Sequence, residues 1–296
     1  MKKLFLTAIL AGSLSLLSGQ SPFSFRELDS DSLELSDGGK PVFVYNFGMI
    51  LKKGFPDEMR RSSYLHPVYA PDGTLLTDDF NPDHPHHRGI SWMWPVVMVD
   101  GKTYDLWTVG GIRQKFERWT AREVKPTYAV LGVENGWYIG DRKVVKEEVE
   151  IRVETARNNA RRLEFTLKFD SVKTRVEIAG TPDQNKGFGG FCFRFAPRDG
   201  GTAKTIIRTD AGIVQKDGIQ SIHSWAQLEG TFGNHPGGAR IEDLRSNPGY
   251  PNPWLLRHGF GFLNVSYPGL RPAEIDGHPL VLKYRVTLFS GASKLD

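Results

Sequence analysis

Three of the chain's eight histidines fall within four residues, in "NPDHPHHRGISWMW", residues 81–94. Imidazoles titrate near neutral pH and can take up or deliver a proton. Arg88 adds a planar donor fork suited to a carboxylate or a developing oxyanion. Trp92 and Trp94 offer apolar walls with a hydrogen-bonding edge. Pro82 and Pro85 push Asn81 and His84 toward extended geometry, and an extended path alternates its side chains. That spacing predicts one face carrying His84, His86, Arg88, Trp92 and Trp94, with His87 on the other. A polar, ring-shaped ligand suits that face. His84 or His86 would act as general acid or base, Asp83 would orient an imidazole, and Arg88 would meet negative charge. A divalent cation beside Arg88 would be repelled, so the metal alternative draws on His87 with His66 and Asp79.

Further candidates lie elsewhere in the chain. "YDLW" places Asp105 and Trp107 among aromatics, Asp105 as a partner base and Trp107 as a ligand wall. Lys186 stands at the mouth of the glycine run "KGFGG" and would join Arg88 against developing charge. His66, Arg257 and His258 are candidate substrate-binding groups. Cys192 lies in "GGFCFRFA", where Phe191, Phe193 and Phe195 share one strand face; it reads as a packed small residue rather than a nucleophile. The doublets Arg60, Arg61 and Arg161, Arg162 read as solvated, and His223, His235 and His278 as ordinary structural histidines. H-E-x-x-H, G-x-S-x-G and paired C-x-x-C patterns are absent from the sequence. "GFGG" lacks the context of a dinucleotide fingerprint and reads as a bend feeding a strand.

Strands must position these groups. In "EEVEIRVET", Val149, Ile151 and Val153 alternate with charged residues; after "ARNNAR", "LEFTLKF" places Leu163, Phe165, Leu167 and Phe169 on one face. The two segments predict an amphipathic hairpin. "PVFVYNF", "TYAVLGV", "TRVEIAG", "KTIIRTD", "GFLNVSY" and "LVLKYRVTLF" read likewise, separated by Gly, Pro, Asn and Asp clusters. Only "GGARIEDL" leaves room for a short helix. The expected fold is all-β, a large antiparallel two-sheet β-sandwich whose end loops carry the chemistry.

The first 20 residues, with Lys2 and Lys3 before the apolar run 4–17, have the pattern of a secretory signal peptide. The lack of a cysteine at its end argues against a lipid-anchored form. Residues 21–296 then form a single domain, periplasmic or secreted, with no membrane span expected. The net charge of +4 is not gathered into a stripe, which argues against nucleic acid. A single cysteine forbids an internal disulfide.

"YLHPVYAPDGTLLTDDFNPDHPHHRGISW", "YDLW", "KGFGGFCFRFA" and "SNPGYPNPWLLRHGFG" together resemble the bacterial "PmoA-like" family, from about Pro41 to the C-terminus. The resemblance implies a setting near sugar-catabolic oxidoreductases and a mutarotase-type supersandwich. The methane oxygenase of the label is an integral membrane protein, at odds with this chain. Where that family carries Asp-His-Pro before "SNP", this chain has Asp243, Leu244 and Arg245. The leading reading is an exported carbohydrate-active enzyme that cleaves or isomerises a glycoside or modified sugar by proton transfer, with no cofactor expected. The alternatives are a carbohydrate-binding module without catalysis and a metal-dependent hydrolase or lyase, for which a divalent metal stays open. In each case the partner is a small molecule or oligosaccharide.

Overall fold

The predicted hairpin forms in register: Val149 faces Leu167, Ile151 faces Phe165 and Val153 faces Leu163. All six side chains are buried. Each contributes about 1.5–3 kcal/mol by leaving water, so the pattern that identifies the hairpin also anchors it. The computed structural model describes residues 21–293; the signal-peptide expectation lies outside them.

Two nine-stranded antiparallel sheets make up most of the described chain. The first runs in the order Phe23–Glu27, Ser32–Asp37, Lys40–Asn46, Tyr64–Val68, Ile90–Met93, Gly190–Arg194, Phe262–Ser266, Pro253–Arg257, Gly218–Ile222. The second runs Gly212–Val214, Ile206–Thr209, Trp225–Phe232, His235–Asp243, Leu280–Ser290, Ala160–Ser171, Arg142–Glu154, Tyr128–Ile139, Arg113–Val124. A smaller sheet joins Ala273–Ile275, Val176–Ala179, Val96–Val99 and Lys102–Tyr104. The fold is therefore an all-β sandwich, as the alternation requires. One local expectation is corrected: "GGARIEDL" is strand, paired on both sides within the second sheet, because its cross-strand ladder outweighs a weak helical spacing.

The two large sheets meet through aromatic side chains. Phe191 stacks on Tyr284 with ring centroids 4.5 Å apart, and Trp94 packs on Trp137 and Phe169, each at 5.4 Å. Trp92 is wholly buried and approaches Phe165. Trp92 and Trp94 thus belong to the inter-sheet core. Their expected role as a ligand platform is corrected, because the second sheet already covers their faces.

The glycine run feeds a strand as expected. Gly190 has φ +99°, and a Cβ there would sit 2.8 Å from the Val265 carbonyl oxygen, closer than side-chain carbons come. The chain can enter the strand Gly190–Arg194 at this point only with glycine.

Candidate functional site

Alternation along Gly190–Arg194 sorts its residues between two environments. Phe191 and Phe193 face the second sheet; Cys192 and Arg194 face away from it. Register carries the sorting sideways, pairing Cys192 with Ser91 and Asn264, and Arg194 with Phe262. On the neighbouring strand, Leu65 pairs with core-facing Ile90, so Tyr64 and His66 share the face of Arg194. Loops fold over this outer face of the first sheet and bury it. Gly89 marks where the histidine segment joins the sheet: a Cβ there would overlap the Leu65 carbonyl oxygen.

The histidine segment is not extended. His84 N–H donates to the Asn81 carbonyl at 3.1 Å and His87 N–H to the His84 carbonyl at 3.0 Å, which makes two consecutive turns. Proline biases only the residue before it, and these turns override the bias. All three imidazoles consequently converge: His84 stacks on His87 at 4.8 Å, His86 meets His87 edge-on at 4.6 Å, and His84 and His86 lie 5.8 Å apart. The expected separation of His87 from the other two is thereby overturned. His87 also stacks on Phe262 at 4.3 Å, His84 packs on Phe260 at 4.5 Å, and Trp107 closes the side with its ring 5.6 Å from His87.

Arg88 is the clamp of this loop rather than a ligand contact. It is 1% exposed; it donates to the carbonyls of Pro85, His87 and Met59, and its guanidinium lies 3.4 Å over the Phe80 ring. Its assigned oxyanion role is corrected on that ground, since most of its donors are spent on the backbone. Replacing it with methionine is expected to cost about 2–4 kcal/mol, from several charge-assisted bonds lost inside the protein. Urea unfolding would measure the loss, and faster amide exchange confined to residues 81–88 would locate it.

Two arginines outside the predicted site border the histidines. Arg61 is not solvated as its place in a charged doublet predicts: it is 3% exposed and donates to the carbonyls of Leu106 and Trp107 at 2.8 and 2.6 Å. Burial, and then the charge of Arg88, bring its guanidinium down to about 9. Arg194 is 2% exposed and reaches Asp83 Oδ1 and Oδ2 at 2.8 and 3.0 Å through Nη2 alone. The signal for Arg194 was present in "GGFCFRFA", where parity sets it opposite three phenylalanines.

Electrostatics follow from crowding cations and imidazoles out of water. Burial, then Arg61, His84, Arg88 and Arg194, push His86 down to about 3. Burial and then the neighbouring imidazoles hold His87 well below its ordinary value. Both are neutral at pH 7. Burial would raise the Asp83 carboxyl, but Arg194 and then His84 hold it below the usual carboxylate range. His84 Nδ1 lies 3.4 Å from Asp83 Oδ2, and both side chains are over a third exposed. They sit beside a cleft of about 580 Å³ lined by Asp83, Arg194, Arg198 and Phe260.

The other candidates are distributed around this centre. His66 bonds Thr77 Oγ1 at 3.0 Å and Asp79 Oδ1 at 3.1 Å, and Asp79 also takes Lys52. His87 makes its ring contacts elsewhere, so the His66, Asp79 and His87 set is not assembled. Parallel rings such as His84 and His87 direct their in-plane lone pairs alongside one another rather than at a common point. Among the described residues, no three His, Cys, Asp or Glu side chains are placed to hold a metal ion. Asp105 caps a turn by accepting from Thr108 N–H and Oγ1, and Lys186 pairs with Asp183. His258 bonds Asp217 and the Val214 carbonyl through its two ring nitrogens, with Arg257 3.7 Å from Asp217, beside a neighbouring cleft of about 600 Å³. Cys192 is buried and its thiol is pushed up to about 12, consistent with a packing role.

Comparison with known proteins gives a family but no activity. No curated protein matches the chain. Among solved structures, a galactose mutarotase related enzyme from Lactobacillus acidophilus is similar at 9% identity and TM-score 0.41, over 93% of this chain and 99% of that one. A GalM/aldose epimerase homologue from C. elegans has 9% identity and TM-score 0.36, over 93% and 100%. A heparinase III gene product has 10% identity and TM-score 0.34, over 92% of this chain and 35% of that one. The family whose model matches is described as "Family of unknown function (DUF6807)", over residues 32–296; this replaces the PmoA-like assignment, to which nothing points. The chain belongs to the DUF6807 family of unknown function.

Proposed function

We propose that this protein is an exported carbohydrate-active enzyme that cleaves or isomerises a glycoside or modified sugar by proton transfer. The observation that carries the reading is the Asp83–His84 pair, half-exposed beside the cleft and backed by two neutral imidazoles. In it His84 exchanges a proton with the substrate, and Asp83 stabilises the imidazolium that forms. His86, kept neutral, donates a hydrogen bond to oxygen as negative charge develops, as a neutral imidazole can without losing its proton. Asn81, Thr202 and Phe260 line the same cleft and offer a sugar ring both hydrogen bonds and an apolar wall.

Conversion of a panel of glycosides, including 3-keto derivatives, tests this. Wild-type protein should turn over at least one substrate. His84→Ala and His86→Ala should each lower kcat by about 10²–10⁴-fold with the circular dichroism spectrum retained. Sugar binding without conversion of any panel member would instead make the protein a binding module.

A further inference from the structure

Of the 11 buried side-chain polar atoms that make no hydrogen bond among the described residues, six belong to Arg61, His84, His87, Arg88 and Arg194; the His84 atom is Nδ1, which meets Asp83 Oδ2 only as a 3.4 Å ion-pair contact. Buried polar groups are normally satisfied, so such a concentration calls for a physical explanation. Arg194 contributes two of the six, Nε and Nη1, and it lines the cleft beside Asp83. Its hydrogen-bonded carboxylate, Asp83, straddles Nη2 with both oxygens instead of spanning the guanidinium fork. A carboxylate that meets arginine freely takes two parallel N–H bonds.

The rest of the cleft does not meet the demand. Asp78 Oδ1 accepts the Asp79 N–H at 3.0 Å and its Oδ2 accepts from Asn81 at 2.7 Å; Arg194 Nε is 3.9 Å away. Arg198 stands alongside, held by the carbonyls of Ala196, His258 and Gly259 and by Thr205 Oγ1. Its guanidinium adds positive charge to the cleft from a fixed position. Phe260 supports the Arg194 guanidinium at 4.9 Å and packs on His84 from the same ring.

We propose that this cleft is an oxyanion subsite and that the sugar bound here carries a carboxylate, as a uronic acid does, docking on the Arg194 guanidinium in competition with Asp83. The inference rests on the carbohydrate reading given above and deepens it by naming the substrate class. Asp83 is the competitor for the same guanidinium, lying 40% exposed on the histidine loop. An incoming carboxylate that takes over part of Arg194 leaves Asp83 freer to serve His84, which joins recognition of the acid group to the proton-transfer pair.

Calorimetric titration of the full chain with glucuronate, glucose and inorganic sulfate tests the proposal. Glucuronate should bind at least about tenfold more tightly than glucose, the increment expected of one charge-assisted contact out of water. Arg194→Lys should erase that difference, because a point charge cannot reproduce the planar fork. Asp83→Asn should raise glucuronate affinity several-fold by removing the competing carboxylate. Should Arg194→Lys not fold, Asp83→Asn decides alone: tighter glucuronate supports the subsite and unchanged affinity overturns it. Equal binding of glucuronate and glucose overturns the subsite while leaving the carbohydrate reading standing. Binding of neither sugar removes that reading and this inference with it, and sulfate binding more tightly than glucuronate overturns the carboxylate assignment.

Discussion

Replacing Glu147 with alanine is expected to remove roughly 4–6 kcal/mol of stability, a large part of the 5–15 kcal/mol that a folded protein typically has. Glu147 is 0% exposed, in the strand Arg142–Glu154 between the two large sheets. Its Oε2 accepts from Gln114 at 2.9 Å and Trp137 Nε1 at 2.6 Å, and its Oε1 accepts from Asn135 at 2.8 Å. Alanine leaves three donors facing a dry cavity. Each such donor forfeits about 1–3 kcal/mol of solvation that nothing returns.

Glu147→Gln separates the hydrogen bonds from the charge. A glutamine oxygen can keep Gln114 and Trp137, and its amide can donate to Asn135 Oδ1, which has no partner in the native arrangement, once that amide turns over. The cost should stay below about 2 kcal/mol. Burial raises the Glu147 carboxyl despite its donors. A carboxyl raised in the folded state holds its proton more tightly there than in the unfolded chain. Its contribution to stability is therefore complete below the unfolded value of about 4.5 and is lost as pH rises through the folded value. The glutamine variant should lack this decline. Urea midpoints for wild type and both variants would measure all three effects, and an alanine variant within about 1 kcal/mol of wild type would show that the network contributes little.

Parity made most of this architecture readable, and local chain reversal hid the rest. Val149, Ile151 and Val153 are at inward positions, and Glu147 continues the same parity; a charged residue at a core position was the visible sign of the buried network. The alternation that sends Phe191 and Phe193 inward likewise sends Arg194 to the outer face. Distant segments are a different matter. Nothing in "MRRSSY" tells that Arg61 bends under the carbonyls of Leu106 and Trp107. Two turns, each closed by one backbone hydrogen bond, bring His84, His86 and His87 together where an extended path would have parted His87 from the others. Parity placed Trp92 and Trp94 together and opposite Ser91, but it set them with Arg88 and the histidines, whereas they face the second sheet; which face meets that sheet depends on long-range packing.

Acidification from pH 7 toward 4.5 is expected to destabilise the fold, and the histidine cluster should account for most of the slope. His86 is pushed down to about 3, His87 well below 6.5, and His66 is also lowered by burial. A histidine lowered in the folded state binds fewer protons there than in the unfolded chain between the two values. Stability consequently rises with pH across that window and is lost as pH falls from about 6.5. Each fully shifted group contributes about 1.4 kcal/mol per pH unit within its window. Glu147 acts with the opposite sign above about 4.5, so the wild-type slope is a difference between the two. His87→Phe keeps an aromatic ring against Phe262 and removes one titrating group. In the Glu147→Gln background it should reduce the slope between pH 6.5 and 5 by up to about 1.4 kcal/mol per unit. Urea unfolding at intervals of half a pH unit would resolve that change. An unaltered slope would mean that His87 titrates alike in the folded and unfolded chains, contrary to its enclosure by His84, His86, Trp107 and Phe262.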